Sequence, residues 1–284
     1  MIRNEPKDIN ENKLHRTDLR NVSLSLYREH RKHLPTLPKS REDTHAAIEM
    51  IDTMTSKNEQ FLIGNDQESG IIIFSTETNV TCLCNDVEEL FIDGTFKCCA
   101  RHFYQLHTIH GGKKGNYVPL VFALLPCKYE MCYQKIWKFI TDYCTERNVV
   151  LSPMIIHIDF EKSYAQAVLS TFPNTSIMCC MFHLGRIEIV PRTNNGPESF
   201  HGHFNAQFYA RYPNIFIFLD VLKQIQTSTY IKIRSLDTIA LQRRTEVDKI
   251  NLSVDKYQDY LSGTTSRLTY ISSLGYKFSA RTDM

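Results

Sequence analysis

Between residues 88 and 126 three segments of strand character, "ELFIDGTF", "YQLHTIHG" and "YVPLVFALLP", succeed one another with short connections, and after them the apolar period lengthens from two to about 3.6. This change of period constrains the fold more than any other feature of the chain. Segments joined so closely pair as an antiparallel meander, with "GGKKGN" as the turn between the last two. Beyond residue 126 helix and strand patterns alternate: "EMCYQKIWKFITDYCTERN" carries Ile136, Phe139, Ile140 and Tyr143 at helical spacing, "PMIIHIDF" is a nearly all-apolar strand of the kind buried on both faces, "EKSYAQAVLSTF" is helical and "SIMCCMFHL" strand-like. A meander succeeded by helix, strand, helix and strand predicts an α/β fold, a mixed β-sheet flanked by helices. Upstream, "FLIG" and "GIIIFST" flank the turn-rich "NDQESG" and read as a further hairpin.

The predicted organisation has three parts. Residues 1–58 are a basic and polar helical region, in which "REHRKHLPTLPKSRED" ends in a Pro-bounded connector and Ser40 caps a helix with Asp43 at the capping-box position. The charge cluster there reads as a solvated helix face, with phosphate contact as the other reading. Residues 59–226 form the sheet domain, and 227–284 a polar helical extension that either packs on the domain or mediates dimerisation. With 33 Lys and Arg against 31 Asp and Glu, the balance is too even to demand nucleic acid or a membrane as partner, so any basic surface is local. The nine cysteines have no secreted-type spacing, which points to a reducing cytosolic or nuclear compartment. No apolar leader or membrane-length run is expected from "MIRNEPKDINENK" or the segments after it.

Two strands run into carboxylates. Asp93 comes late in the first strand of the meander and Asp159 ends the strand after the first long helix. If those strands are neighbours, both carboxylates reach one edge, where two like charges disfavour each other unless a divalent cation lies between them. Paired hard oxygens are what Mg²⁺ prefers. For either residue alone a turn role is the simpler reading. A third acid is expected on a later helix, and "RTNNGPESFHGHFNAQFYARYPNIFIFLDVLKQI" supplies Glu198, with Asn195 as a cap and Pro197 in the first turn. His107 and His110, three apart on a strand, fall on opposite faces and read as structural.

Taken in order, "FIDGTFK", "VPLVFALLP", "IIHIDFEKSYAQAV", "CMFHL" and "RTNNGPESFH" resemble the transposase domain of Mutator-like DNA transposons, over residues 60–225. The resemblance implies a ribonuclease H-like fold and a catalytic DDE triad of Asp93, Asp159 and Glu198, the same three residues serving as ligands to two Mg²⁺ or Mn²⁺ ions. It further implies phosphodiester hydrolysis and strand transfer on transposon ends and target DNA, a nuclear location, no membrane, and a possible homo-oligomer. Cys180 and His183 match the family's Cys-x-x-His element. One such pair is half of a zinc site that His201 and His203 would complete, but alternation along a strand places Cys180 and His183 on opposite faces, which argues against a shared zinc and for a packed cysteine with a hydrogen-bonded histidine. Lys97, Arg192, Asn194 and Asn195 are expected DNA-backbone contacts, each with a surface, cap or turn role as the alternative.

The resemblance departs at one place. Family members carry a long helical insertion between the Cys-x-x-His and Arg-Thr-Asn-Asn segments, whereas here only residues 184–191, "LGRIEIVP", join His183 to Arg192. Loss of that insertion leaves a second expectation open, a catalytically inactive, transposon-derived DNA-binding or interaction protein. A generic ribonuclease H-like nuclease is a third, against which the Cys-x-x-His and Arg-Thr-Asn-Asn segments speak.

Overall fold

A computed structural model of the chain describes residues 35–159, 161–179, 195–238, 255–256, 258–266 and 268–270. The chain divides into two compact units, residues 1–36 and 37–284, and the sheet and its helices belong to the second. The division precedes helix α1 (Arg41–Glu49) instead of following residue 58, because α1 is tied to the sheet: His45 Nδ1 lies 2.6 Å from the Asn65 side-chain oxygen, and Thr44, His45, Ala47 and Ile48 are buried. Ser40 caps α1 by accepting from Asp43 N–H at 3.0 Å, as the sequence predicts. The helix expected earlier in the basic region lies outside the described residues.

Among the described residues seven strands form one mixed sheet in the order β1-β2-β5-β4-β3-β6-β7. The hairpin β1 (Leu62–Asp66) and β2 (Ile71–Phe74) adds antiparallel to the outside of a meander of β3 (Glu89–Thr95), β4 (Gln105–Lys113) and β5 (Asn116–Leu125). Lys114 and Gly115, with φ of 50° and 79°, make the tight β4–β5 turn. Two consecutive residues with positive φ match the right-handed twist of the strands they join. Helix α3 (Glu130–Glu146) then leads to β6 (Ile155–Ile158), which pairs in parallel with β3, and α4 (Lys162–Thr171) leads to β7 (Ser176–Cys179), parallel to β6. A meander continued by two parallel strands beyond its first member is the ribonuclease H-like arrangement.

One element was not legible in the sequence. Residues Glu77–Asn85 form a helix, α2, capped by Thr76, whose side chain accepts from Asn79 N–H at 3.1 Å. Its β-branched Thr78, Val80 and Thr81 lower helix propensity, and burial of Asn79, Val80, Cys82 and Leu83 outweighs that.

One face of the sheet packs Leu90, Ile92, Ile109, Ile156 and Ile158 against Ile136, Trp137 and Ile140 of α3 and Tyr164, Ala167 and Val168 of α4. Trp137 meets Phe172 edge-on at 5.1 Å. Cys82, Cys84, Cys98, Cys99, Cys127, Cys132 and Cys144 are free and buried or half-buried, as core filler would be. On the other face lie α5 (Asn195–Ala206) and α6 (Ile215–Arg234). The sequence periodicity runs on from Glu198 without a break, yet the chain turns between these helices. Pro213 cannot continue a helix and Asn214 starts a new one, accepting from Phe216 and Ile217 N–H at 3.1 Å. Asn214→Ala is therefore expected to lower stability by about 1 kcal/mol in urea unfolding, and an unchanged midpoint would show that the cap does not hold α6.

Helix α6 runs without a break through the expected division at residue 226. Gln226 exchanges side-chain hydrogen bonds with Asn79 at 2.8 and 2.9 Å, and Tyr230 bonds Glu59 and Thr55. The first residues of the C-terminal extension thus pack on the domain. No helix among the described residues is long and apolar enough to cross a membrane.

Candidate active site

Asp93 and Asp159 meet because β3 and β6 are parallel neighbours. Leu90 is paired with Ile156 and Phe91 with His157, so continuing the register brings Asp93 level with Asp159, just past the last paired residue of β6. Neighbouring strands run about 4.8 Å apart, and residues at equal register share a face. Both carboxylates line one cleft at the carboxyl ends of these strands, with Gln105, Lys128, Glu161 and Phe96 around them. Carboxyl ends of parallel strands are where open α/β sheets place their ligands.

Asp93 is almost wholly buried and engaged on both oxygens. Oδ1 accepts from Gly94 N–H at 2.7 Å, and Oδ2 lies 3.0 Å from His201 Nδ1 on α5. Burial is the strongest influence on this carboxyl and opposes its ionisation. The hydrogen bond and charge of His201, with the Gly94 N–H, outweigh it and hold the carboxyl below its ordinary range. The clasp continues inward. The Thr108 hydroxyl donates to the Asp93 carbonyl at 3.1 Å, while His201 Nε2 and His110 Nε2 each stand 3.1 Å from the same hydroxyl oxygen. A hydroxyl has one proton, so with that proton on the Asp93 carbonyl both rings point N–H at Thr108. His201 thus points Nε2 at Thr108 and Nδ1 at the carboxylate.

Glu198 lies in the first turn of α5, one helical turn before His201, so the contact that holds His201 also docks the glutamate's helix on the Asp93 face of the sheet. Asn195 opens the same helix, and Pro197 is buried in its first turn. Lys97 sits exposed in the loop after β3, where its carbonyl accepts from Tyr212 N–H at 3.4 Å. Arg192, Asn194, Cys180, His183 and the shortened segment 184–191 lie outside the described residues. His201 contacts Asp93 and Thr108, and His203 is exposed one turn from Gln207. Among the described residues no group of three or more His, Cys, Asp or Glu is gathered as a metal site.

Glu161, and the pairing of His201 with Asp93, were not legible in the sequence. Glu161 enters the cleft two residues after Asp159, accepting from the Tyr133 hydroxyl at 2.8 Å and the Ser163 hydroxyl at 3.1 Å, with Lys128 Nζ at 4.0 Å. Its position before α4 was visible, but the tyrosine that fixes it comes from α3. His201 was visible too, three residues after Glu198, yet nothing local says that its partner is an aspartate more than a hundred residues earlier. His107 and His110 do take opposite faces. His107 lies against Tyr133 and Tyr164, and His110 lies on the Asp93 side against Phe200.

The mixed sheet and its flanking helices define an α/β domain of the ribonuclease H-like class, with an acid pair at the carboxyl ends of two parallel strands. Residues 89–186, which run from the start of β3 past β7, match the model of the MULE transposase domain, in line with the resemblance read from the sequence. No curated protein matches the chain.

Proposed function

We propose that this chain is a DNA-transposase-like nuclease and strand transferase, acting in the nucleus through Asp93, Asp159 and Glu198 with Mg²⁺ or Mn²⁺. The observation that carries the proposal is the equal register of Asp93 and Asp159 at the carboxyl ends of β3 and β6 in one cleft. As a donor set, two carboxylates suit a hard divalent cation, and Glu198 on the adjoining helix would be the third ligand. When bound, the metal pair would polarise the scissile phosphate and lower the pKa of the attacking water or 3′-hydroxyl. The chain's own part is to hold both acids on rigid strands and to bring α5 against them through His201.

One observation favours a second reading, a DNA-binding derivative without catalysis: both Asp93 oxygens already have partners within the protein. A cation bound at Oδ2 would have to share that oxygen with His201. The two readings part in a Mn²⁺ titration by calorimetry on the whole chain. On the first, wild type binds and Asp93→Asn, Asp159→Asn and Glu198→Gln each weaken binding by about tenfold or more, since each removes a charged ligand. Wild type that takes up no Mn²⁺ yet still retains transposon-end DNA would sink the enzyme reading and leave the second.

A further inference from the structure

Phe96, which lines the cleft of the acid pair, begins one of two loops that are held together and form a rim beside it. The loop from Phe96 to Tyr104 comes after β3, and the loop from Gln207 to Asn214 joins α5 to α6. Arg101 N–H donates to the Pro213 carbonyl at 2.9 Å and Tyr212 N–H to the Lys97 carbonyl at 3.4 Å, so the two loops form one surface. That surface exposes aromatic rings. Phe96 is 38% and Tyr104 50% exposed, and the two rings meet edge to face at 5.4 Å.

Cations surround these rings. Lys97, Arg101 and Arg211 are exposed, and the charges of Lys97 and Arg211 both reach the Cys98 thiol between the loops, where they oppose its burial. Lys128 Nζ stands 4.7 Å from the centre of the Phe96 ring, and Phe96 and Lys128 line the same cleft as Asp93 and Asp159. An exposed cation–π contact is weak, so a base laid on Phe96 displaces the ammonium readily and leaves it free to meet a phosphate. Rings interleaved with cations are the means by which proteins hold unpaired strands, since every base has a stacking face and every linkage a negative charge. A duplex keeps its base faces covered.

We propose that this rim seats a single-stranded segment of DNA beside the carboxylate pair, with bases stacked on Phe96 and Tyr104 and phosphates against Lys97, Lys128 and Arg211. The proposal rests on the reading of the domain as one that acts on DNA, and deepens it by assigning the form of DNA the site takes. A strand frayed at a cleavage point presents the scissile linkage to the acids without the bulk of a second strand.

The test is fluorescence anisotropy of the whole chain with a labelled thymidine strand of roughly 20 nucleotides and with a duplex of equal length, in EDTA and at stepped salt. Working without metal separates binding from catalysis. Wild type is expected to bind the single strand, and the pair Phe96→Ala with Tyr104→Ala to weaken that binding by about tenfold or more while changing duplex binding by less than about twofold. Phe96→Trp keeps the affinity. Lys97→Gln with Arg211→Gln lowers the slope of log affinity against log salt by about 1.4, two phosphates' worth for a single strand.

Unchanged single-strand binding by the double alanine variant overturns the proposal, and so does an equal loss on both DNAs. Uptake of duplex alone by wild type overturns it while leaving the transposase reading intact, and binding of neither DNA defeats both. Self-association of wild type that vanishes in the alanine variant, with DNA binding unchanged, assigns the rim to a second copy of the chain instead.

Discussion

Acidification from pH 7 to about 4.5 is expected to remove on the order of 5 kcal/mol of folding stability, through two histidines at the centre of the sheet. His107 and His110 are both pushed down to about 3, first by burial; beyond that His201 disfavours the charged ring, and the Asp93 carboxylate pulls the other way without offsetting the burial. In the unfolded chain both rings titrate near 6.5. As pH falls through that window the unfolded chain takes up two protons that the folded one refuses, so stability is present in full above about 6.5 and is lost progressively until about 3. Each ring contributes roughly 2–3 kcal/mol of loss by about pH 4.5. Asp93, held low in the fold, acts in the same sense but only below the ordinary aspartate range near 3.9. Urea unfolding at the two pH values reads the difference, and His107→Phe, whose ring still fits against Tyr133 and Tyr164, should abolish about half of it. Equal stability at both pH values would mean that the buried rings take up protons in the folded state.

The His201→Ala variant is expected to lose about 3 kcal/mol, because it leaves a buried carboxylate with one oxygen stripped of its hydrogen-bond partner. At the size of this domain such a loss lowers Tm by on the order of 10 °C. Asp93→Asn should cost less, since a neutral amide remains able to bond the ring. The double variant Asp93→Asn, His201→Ala should cost far less than the two singles summed, and that non-additivity is the signature of a coupled pair. If the two losses simply add, the contact carries no coupling and the clasp between α5 and β3 must be sought elsewhere. The single His201→Ala variant also bears on the enzyme reading: with the clasp that docks α5 gone, Glu198 is no longer held beside the acid pair, so on that reading Mn²⁺ should raise the unfolding midpoint of this variant less than that of wild type, a difference that grows with Mn²⁺ concentration.

These two groups of residues also mark the boundary of what could be read from the sequence. The strands of the meander, α3, β6 and α4 are legible from local periodicity, because each buries a face whose pattern is written within a dozen residues. Helix α2 was hidden because its β-branched residues argue against a helix and only burial under the sheet decides for it. The turn between α5 and α6 was hidden for the opposite reason: apolar spacing continued through residues where Pro213 and Asn214 end one helix and start another. At the site, Asp93 and Asp159 stood out because an acid at the end of an apolar strand is costly without a purpose.

Sequence by itself determined the alternation of elements, the family resemblance and the two aspartates at strand ends, all of which depend on residues close together in the chain. Only the tertiary structure decided that β3 and β6 are neighbours in a register that makes Asp93 level with Asp159, that His201 is the partner of Asp93, and that Glu161 and Tyr133 share the cleft. The reason is physical. A pairing across dozens of residues is selected by how whole faces bury against each other, and a buried charge takes whichever partner that packing brings within hydrogen-bond reach.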